Sequence, residues 1–103
     1  MSLFANKVAL ITGGTKGIVK ATAAALVAGG AKVVINYGRD AEAANATVEE
    51  LGADNVYAVQ ADVSSVAGVE KLVNETVAKF SKIDILIPNA GMFSLHAVDR
   101  NVN

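Results

Sequence analysis

The sequence of 103 residues contains no cysteine, which excludes disulfides, thiolate metal sites and cysteine nucleophiles. Aromatic residues make up only 5% of the chain, so a surface that stacks nucleic-acid bases is not expected. No charge excess is present: nine basic and ten acidic side chains give a net charge of −1, which argues against nucleic acid and anionic membranes as partners. No apolar run approaches the ~18 residues of a membrane-spanning helix.

The amino-terminal stretch MSLFANKVALITGG has no basic segment before an apolar run and is therefore unlike a signal peptide. Together with the absence of cysteine, this predicts a cytoplasmic location. The length allows one domain with a small core, and 52% of the residues are hydrophobic, many of them alanine and valine.

Short apolar runs of strand length alternate with segments of helical character along the chain. We predict strands at Val8–Thr12, Val33–Asn36, Val56–Gln60 and Ile83–Ile87, and helices at Gly17–Ala28, Ala41–Leu51 and Ser65–Phe80. The second helix is predicted to have Asp40 as its N-cap and to stop at Gly52. The third has the clearest helical period, with an apolar stripe at Val66, Val69, Leu72, Val73, Thr76, Val77 and Phe80.

The order β-α-β-α-β-α-β predicts a fold of the α/β class. Strands joined by helical crossovers pair in parallel, so we expect a Rossmann-type, doubly wound parallel sheet in a three-layer αβα arrangement. We place this domain at residues 1–91 and an irregular or truncated tail at 92–103. The fourth strand would lie at an apolar edge, which predicts that further chain or a partner subunit covers it.

The loop after the first strand, ITGGTKGIV at 11–19, has the spacing Gly13-x-x-x-Gly17 and opens a helix. Free N–H groups and the positive dipole end of a helix attract phosphate, and glycine allows a sharp turn and a close approach. Val19 occupies the place of a third glycine, so we expect the helix to be pushed slightly outward or repacked. No Gly-Lys-Ser/Thr follows, which argues against a P-loop. A plain glycine-rich turn is the alternative.

Three motifs in order resemble the classical short-chain dehydrogenase/reductase family. Residues 12–18, T-G-G-T-K-G-I, resemble its TGxxxGIG signature, Ala61-Asp62-Val63 ends the third strand where the family has an Asp-Val pair, and Pro88-Asn89-Ala90-Gly91 resembles its NNAG. The resemblance covers residues 5 to 91, nearly the whole chain. It implies the fold and a dinucleotide site.

The resemblance also implies residue roles. Asp62 would bind the adenine amino group, Val63 would donate its N–H, and Asn89, Ala90 and Gly91 would pass beside the ribose. The implied cofactor-binding set is Thr12, Gly13, Thr15, Lys16, Gly17, Ile18, Asn36, Arg39, Asp62, Val63, Asn89, Ala90 and Gly91. Alternatively, Asp62 caps the next helix and residues 89–91 form an ordinary turn. Pro88 replaces the first asparagine, which removes a backbone donor and a polar side chain.

The choice between NAD and NADP depends on the residues at the end of the second strand, Asn36-Tyr37-Gly38-Arg39. NAD sites place a carboxylate there for the ribose 2′-OH, but Tyr37 takes that position. Arg39 and Lys16 are cations suited to a 2′-phosphate, so we expect NADP(H), with NAD(H) as the second choice. The alternative is that both are solvated loop cations.

The family's catalytic pair is not in this sequence. The resemblance implies a serine and a Tyr-x-x-x-Lys pair, but Tyr37 and Tyr57 are followed four residues later by Ala41 and Ala61. Asn103, in a Val-Asn pair, is the one candidate for a catalytic residue. His96 has no partner and is interpreted as a surface residue, and no cluster of metal ligands is visible.

Two functions remain open. The chain is either the NAD(P)(H)-binding portion of an oxidoreductase that transfers hydride between nicotinamide and an alcohol or ketone, or a non-catalytic dinucleotide-binding or interaction module. The first implies a small-molecule substrate and a homo-oligomer, with no nucleic acid and no membrane. A flavodoxin-like or receiver domain is disfavoured because the strand ends carry no acidic cluster.

Overall fold

The structure, a computed structural model, describes residues 3–13 and 17–88. Seven elements follow one another in the predicted order of alternating strands and helices. The strands are β1 (Val8–Thr12), β2 (Lys32–Tyr37), β3 (Val56–Gln60) and β4 (Ile85–Pro88), and the helices are α1 (Gly17–Ala28), α2 (Ala41–Leu51) and α3 (Val66–Phe80). The predicted boundary between residues 91 and 92 lies outside the described residues, so the division into domain and tail stays a prediction.

The four strands form one parallel sheet in the order β3-β2-β1-β4. β1 is central, and all five of its residues are buried. Its register pairs Leu10 with Val34 of β2 and with Leu86 of β4. The carboxyl ends of β1, β2 and β3 therefore lie side by side at one edge of the sheet.

Each face of the sheet has its own apolar core, because successive side chains of a strand point to opposite faces. On one face Ile11, Val33 and Ile35 pack with Val19 and Ala23 of α1 and Ala44 of α2, among others. On the other face Leu10, Val34 and Val59 pack with Leu72 of α3. Helices cover both faces, which confirms the three-layer αβα arrangement.

Local signals set the helix ends. The Asp40 side chain accepts a hydrogen bond from the Ala43 N–H at the start of α2, and the Gly52 N–H donates to the Val48 carbonyl at its end, as predicted. Ser65 caps α3 by accepting from the Gly68 N–H. These contacts satisfy backbone groups that a helix end leaves without intrahelical partners.

Three elements differ from their predicted bounds. β2 extends one residue further at each end, and α3 begins at Val66 because Ser65 is its cap. β4 begins at Ile85 instead of Ile83, since Ile83 packs against the α3-side core before the strand starts. It includes Pro88, and proline is tolerated at such a position because β4 pairs only with β1 in the described part of the chain.

Val19 is 3% exposed and belongs to the core between α1 and the sheet. The side chain expected to push the helix outward is thus part of the packing that holds it.

The apolar stripe of α3 is wider than the part of the helix that packs against the sheet. Leu72 and Thr76 are buried, whereas Val66, Val73 and Val77 are among the exposed apolar residues. Leu86 of β4 is 42% exposed on the same side of the sheet, which agrees with the expected apolar edge. Within residues 3–13 and 17–88, no helix is long and apolar enough to cross a membrane.

Candidate functional site

A cleft of about 450 Å³ lies at the carboxyl ends of β1, β2 and β3. In open parallel sheets, ligands bind at this edge. The cleft brings together segments that are far apart in the sequence: it is lined by Gly13, Asn36, Gly38, Arg39, Ala61, Asp62 and Val63. Five of these residues belong to the predicted cofactor-binding set.

Asn36, at the end of β2, connects the two strands beside it. Its side-chain Oδ1 accepts a hydrogen bond of 2.8 Å from the Gly13 N–H, and its Nδ2 donates one of 2.8 Å to the Ala61 carbonyl. The residue is 2% exposed. Both polar atoms of the carboxamide are therefore engaged by the protein itself.

Asp62 lies in the loop between β3 and α3. Its Oδ1 accepts hydrogen bonds from the Ser64 hydroxyl and the Ser64 N–H, and these bonds hold the pKa of the Asp62 carboxyl below its ordinary value. The carboxylate is therefore ionised at neutral pH. The N-cap of α3 is Ser65 and not Asp62, so the alternative that Asp62 is the helix cap does not describe this loop.

The end of β2 carries a cation and no carboxylate in the cleft. Arg39 is exposed and lines the cleft. Asp40, the nearest acidic residue in the sequence, is engaged at the N-terminus of α2, where it accepts from Ala43 at 3.0 Å. The expectation that Tyr37 takes the carboxylate position of an NAD site stays a prediction.

The structure describes the two ends of the glycine loop, at Gly13 and at Gly17. Gly13 has a φ of 101°, which glycine adopts without strain. The Thr12 hydroxyl is buried and has no hydrogen-bond partner among the described residues. α1 begins at Gly17 and has no acidic residue in its first turn. In the described part of the chain, a Cβ on Gly17 would meet nothing within 4 Å, so these residues leave open space beside the helix N-terminus.

Of the remaining predicted site residues, the structure describes Ile18. Ile18 is 74% exposed on α1 and is not a lining residue of the cleft. Thr15, Lys16, Asn89, Ala90, Gly91 and the catalytic candidate Asn103 lie outside the described residues, as does His96.

Three contributors were not in the predicted set. Gly38 and Ala61 line the cleft, and Ser64 holds the Asp62 carboxylate. A signal for Ser64 was present, because a serine two residues after an aspartate is typical of a side chain–backbone turn. Tyr57 lies away from the cleft: its hydroxyl hydrogen-bonds to Glu75 of α3, and Lys79 lies 5.2 Å from its ring centre.

No group of three or more histidine, cysteine, aspartate or glutamate side chains that could hold a metal ion occurs in the described part of the chain.

A parallel sheet between two layers of helices, with a glycine turn after its first strand and a cleft at the carboxyl ends of its strands, defines the Rossmann class of proteins. The model of the short chain dehydrogenase family matches residues 7–102. The chain belongs to this family.

Similar proteins in this family carry oxidoreductase names. The chain is 47% identical over 94 residues to a 3-oxoacyl-[acyl-carrier-protein] reductase of Synechocystis, an alignment that covers 89% of this chain and 38% of that protein. It is 47% identical over 91 residues to versicolorin reductase 1 of Aspergillus parasiticus, covering 86% of this chain and 35% of that protein. The chain thus spans about two fifths or less of the length of these relatives.

Solved structures agree with the fold. A short-chain dehydrogenase/reductase from Serratia marcescens superposes with a TM-score of 0.81 at 31% identity, over 95% of this chain and 44% of that one. A 3-ketoacyl-(acyl-carrier-protein) reductase from Brucella melitensis, in complex with NADH, superposes with a TM-score of 0.74 at 43% identity, over 81% of this chain and 34% of that one. These neighbours confirm the predicted Rossmann-type fold.

Proposed function

We propose that this chain is the NAD(P)(H)-binding portion of an oxidoreductase that transfers hydride between nicotinamide and an alcohol or ketone. The observation that carries the proposal is the cleft, because it gathers Gly13, Arg39 and Asp62 from three strand ends. Membership of the short chain dehydrogenase family supports the class of chemistry.

The residues present fit a dinucleotide. The N-terminus of α1, beside open space and without a competing carboxylate, suits the pyrophosphate. The ionised Asp62 suits an adenine amino group, and the Val63 N–H suits a ring nitrogen. The Thr12 hydroxyl, buried and without a hydrogen-bond partner among the described residues, provides a further polar group next to Gly13 in the sequence. When bound, the nicotinamide accepts or supplies the hydride, while these residues bind and orient the cofactor.

The proposed cofactor is NADP(H), with NAD(H) as the weaker ligand. Arg39 lines the cleft, and the carboxylate next to it in the sequence is turned to the α2 cap. A guanidinium pairs well with a 2′-phosphate, and no carboxylate of the described cleft lining lies at the β2 end to repel it.

Changing the charge at residue 39 tests this preference. Arg39→Glu should weaken NADPH binding by tenfold or more, because it replaces an attractive charge by a repulsive one, and should change NADH binding far less. Fluorescence titrations of both dinucleotides with the parent and the variant give the two affinities. The control is Lys71→Glu, which makes the same charge change at an exposed position of α3 that does not line the cleft. A parent that binds NADH as tightly as NADPH contradicts the preference.

We place the hydride-transfer step in a longer form of the protein. The 103 residues hold two tyrosines, neither with a lysine four residues later. The chain alone should therefore bind NADPH without oxidising it when ketones are added, and bind NADP+ without reducing it when alcohols are added. Turnover by the purified chain would contradict this. If the protein from its natural source has the mass of this chain, 10.5 kDa, the second function gains support: a non-catalytic dinucleotide-binding or interaction module.

The remaining parts of the proposal concern partners and location. We propose a small-molecule substrate, a homo-oligomer, and a cytoplasmic location with neither nucleic acid nor a membrane as partner. The near-neutral charge argues against nucleic acid and anionic membranes, and the exposed apolar edge at β4 supports the homo-oligomer.

A further inference from the structure

Asn36 is the residue of the cleft whose side chain is most completely engaged in internal hydrogen bonds. Only 2% of it is exposed, and each polar atom of its carboxamide makes one hydrogen bond of 2.8 Å. The remaining N–H of Nδ2 and the second lone pair of Oδ1 are buried together with the side chain. Its effect on the cleft has to be exerted through the groups that it holds.

Those groups belong to opposite walls of the cleft. Gly13 opens the glycine loop after β1, and Ala61 immediately precedes Asp62 after β3. The two bonds span 23 and 25 residues of sequence. Gly13 lies beyond Ile11, which forms the last ladder pair of β1 and β2 with Ile35. Ala61 follows Gln60, which pairs with Tyr37 at the end of the β2–β3 ladder. The Asn36 side chain therefore links β1 and β2 beyond the point where their backbone ladder ends.

The chemistry of the two partners restricts the residue type. The Gly13 N–H needs an acceptor and the Ala61 carbonyl needs a donor. A carboxamide supplies one of each, whereas an ionised aspartate only accepts and a hydrocarbon does neither. Leaving either backbone group unpaired in a buried position is unfavourable.

We infer that Asn36 is a positioning residue that sets the distance between the glycine loop and the Asp62–Val63 loop, and so pre-forms the dinucleotide cleft. This inference rests on the proposed function. It differs from a direct cofactor contact by Asn36, because the hydrogen bonds already exist in the free chain.

The first test needs no substitution. In the ligand-free 103-residue chain, the Asn36 carboxamide hydrogens should exchange with solvent at least tenfold more slowly than those of the exposed Asn45, measured by NMR. The Gly13 amide hydrogen should be protected as well. Exchange as fast as that of Asn45, slowing only after NADPH is added, would overturn the inference in favour of direct contact.

The second test separates positioning from stability alone. Asn36→Leu keeps the approximate shape and removes both bonds. The matched control is Thr76→Val, which removes a fully buried hydroxyl that donates to the Leu72 carbonyl within α3. Both variants should unfold at lower temperature than the parent. At a temperature where both are folded, only Asn36→Leu should bind NADPH tenfold or more weakly.

The outcomes are distinguishable. If the parent binds NADPH and Asn36→Leu binds within twofold of it, the inference is wrong and the proposed function stands. If the parent does not bind, the proposed function fails, and with it the role of Asn36 toward a cofactor. If Asn36→Leu does not fold, the exchange rates in the unsubstituted chain decide.

Discussion

Gly13 has a backbone conformation that few other residues adopt. Its φ of 101° is in the left-handed region, and its N–H is committed to Asn36. Gly13→Ala should lower the free energy of unfolding by about 1–2 kcal/mol, because an added Cβ makes this conformation unfavourable. Urea denaturation measures the change.

The control for Gly13 is Gly38→Ala in the same cleft. Gly38 is not in the left-handed region, and its added Cβ would meet nothing within 4 Å. Its unfolding free energy should stay close to that of the parent. Equal losses in the two variants would show that the φ of Gly13 is not what requires glycine.

Val19 should contribute strongly to stability, although it stands where the family signature has glycine. It is 3% exposed in the core between α1 and the sheet. Val19→Gly should cost about 3 kcal/mol, the sum of the lost burial and of a glycine inside a helix.

Ile18→Gly on the same helix is the control for Val19. Ile18 is 74% exposed, so its loss should be about 0.5 kcal/mol, mainly from helix propensity. Urea denaturation compares the two variants, and a smaller loss at Val19 than at Ile18 would contradict the packing described here.

At the scale of residues, the sequence indicated which residues lie together in the cleft, but not the hydrogen bonds that they make. Gly13, Arg39 and Asp62 could be predicted because their motifs stand at strand ends, and parallel strands bring those ends together. The hydrogen bonds of Asn36 could not, since they depend on the exact register of three strands. The role of Ser64 was missed for a local reason, a side-chain turn that the family motif does not include.

At the scale of elements, Asp84 joins the turn after α3 to the start of β1. Its carboxylate accepts a 2.9 Å hydrogen bond from the Val8 N–H and pairs with Lys82 at 3.0 Å. The Val8 bond first, and then the Lys82 bond, hold the pKa of Asp84 below its ordinary value of 3.8. Since the folded pKa is the lower one, the ionised group stabilises the fold above pH 3.8, and this contribution is lost as the pH falls through the folded pKa.

Asp84→Asn should therefore lower the thermal unfolding midpoint at pH 7, and the gap to the parent should narrow below about pH 4. Thermal scans between pH 7 and pH 3 measure both effects. Asp54→Asn, at an exposed position without a side-chain hydrogen bond in the described part of the chain, is the control. A gap that is constant with pH would show that the charge of Asp84 does not matter.

The elements themselves were largely predictable because composition and period agree with the tertiary fold. α1, α2, β1 and β3 have the predicted bounds, set by glycine stops, an aspartate cap and buried apolar runs. The burial of α3 was not predictable from its period. Val73 and Val77 fit the stripe but are exposed, because α3 packs mainly on β2 and β3, and Leu72 is the residue that packs with Leu10 of β1.

At the scale of the whole molecule, the apolar side of β4 should promote association. Leu86 is 42% exposed on the face next to α3, and in the described residues β4 pairs only with β1. Unpaired strand edges with apolar side chains pair with other chains. The 103-residue chain should sediment as a dimer or larger species at tens of micromolar, and Leu86→Lys should shift it toward the monomer.

Leu3→Lys is the control for this prediction, since Leu3 is also exposed, at 72%, but lies outside the sheet. Analytical ultracentrifugation distinguishes the species. A parent that is monomeric over the whole concentration range would contradict the proposed association.

The most direct test of the central claim is a residue-resolved NMR titration of the chain with NADPH. The account predicts saturable shifts at Gly13, Arg39, Asp62 and Val63, around the cleft at the carboxyl ends of the strands. A second cavity, of about 290 Å³, lies at the opposite end of the sheet and is lined in part by Lys7, Lys32 and Lys82. Saturable shifts confined to those lysines, or no saturable shift anywhere, would contradict the claim that this chain binds a dinucleotide at the glycine loop.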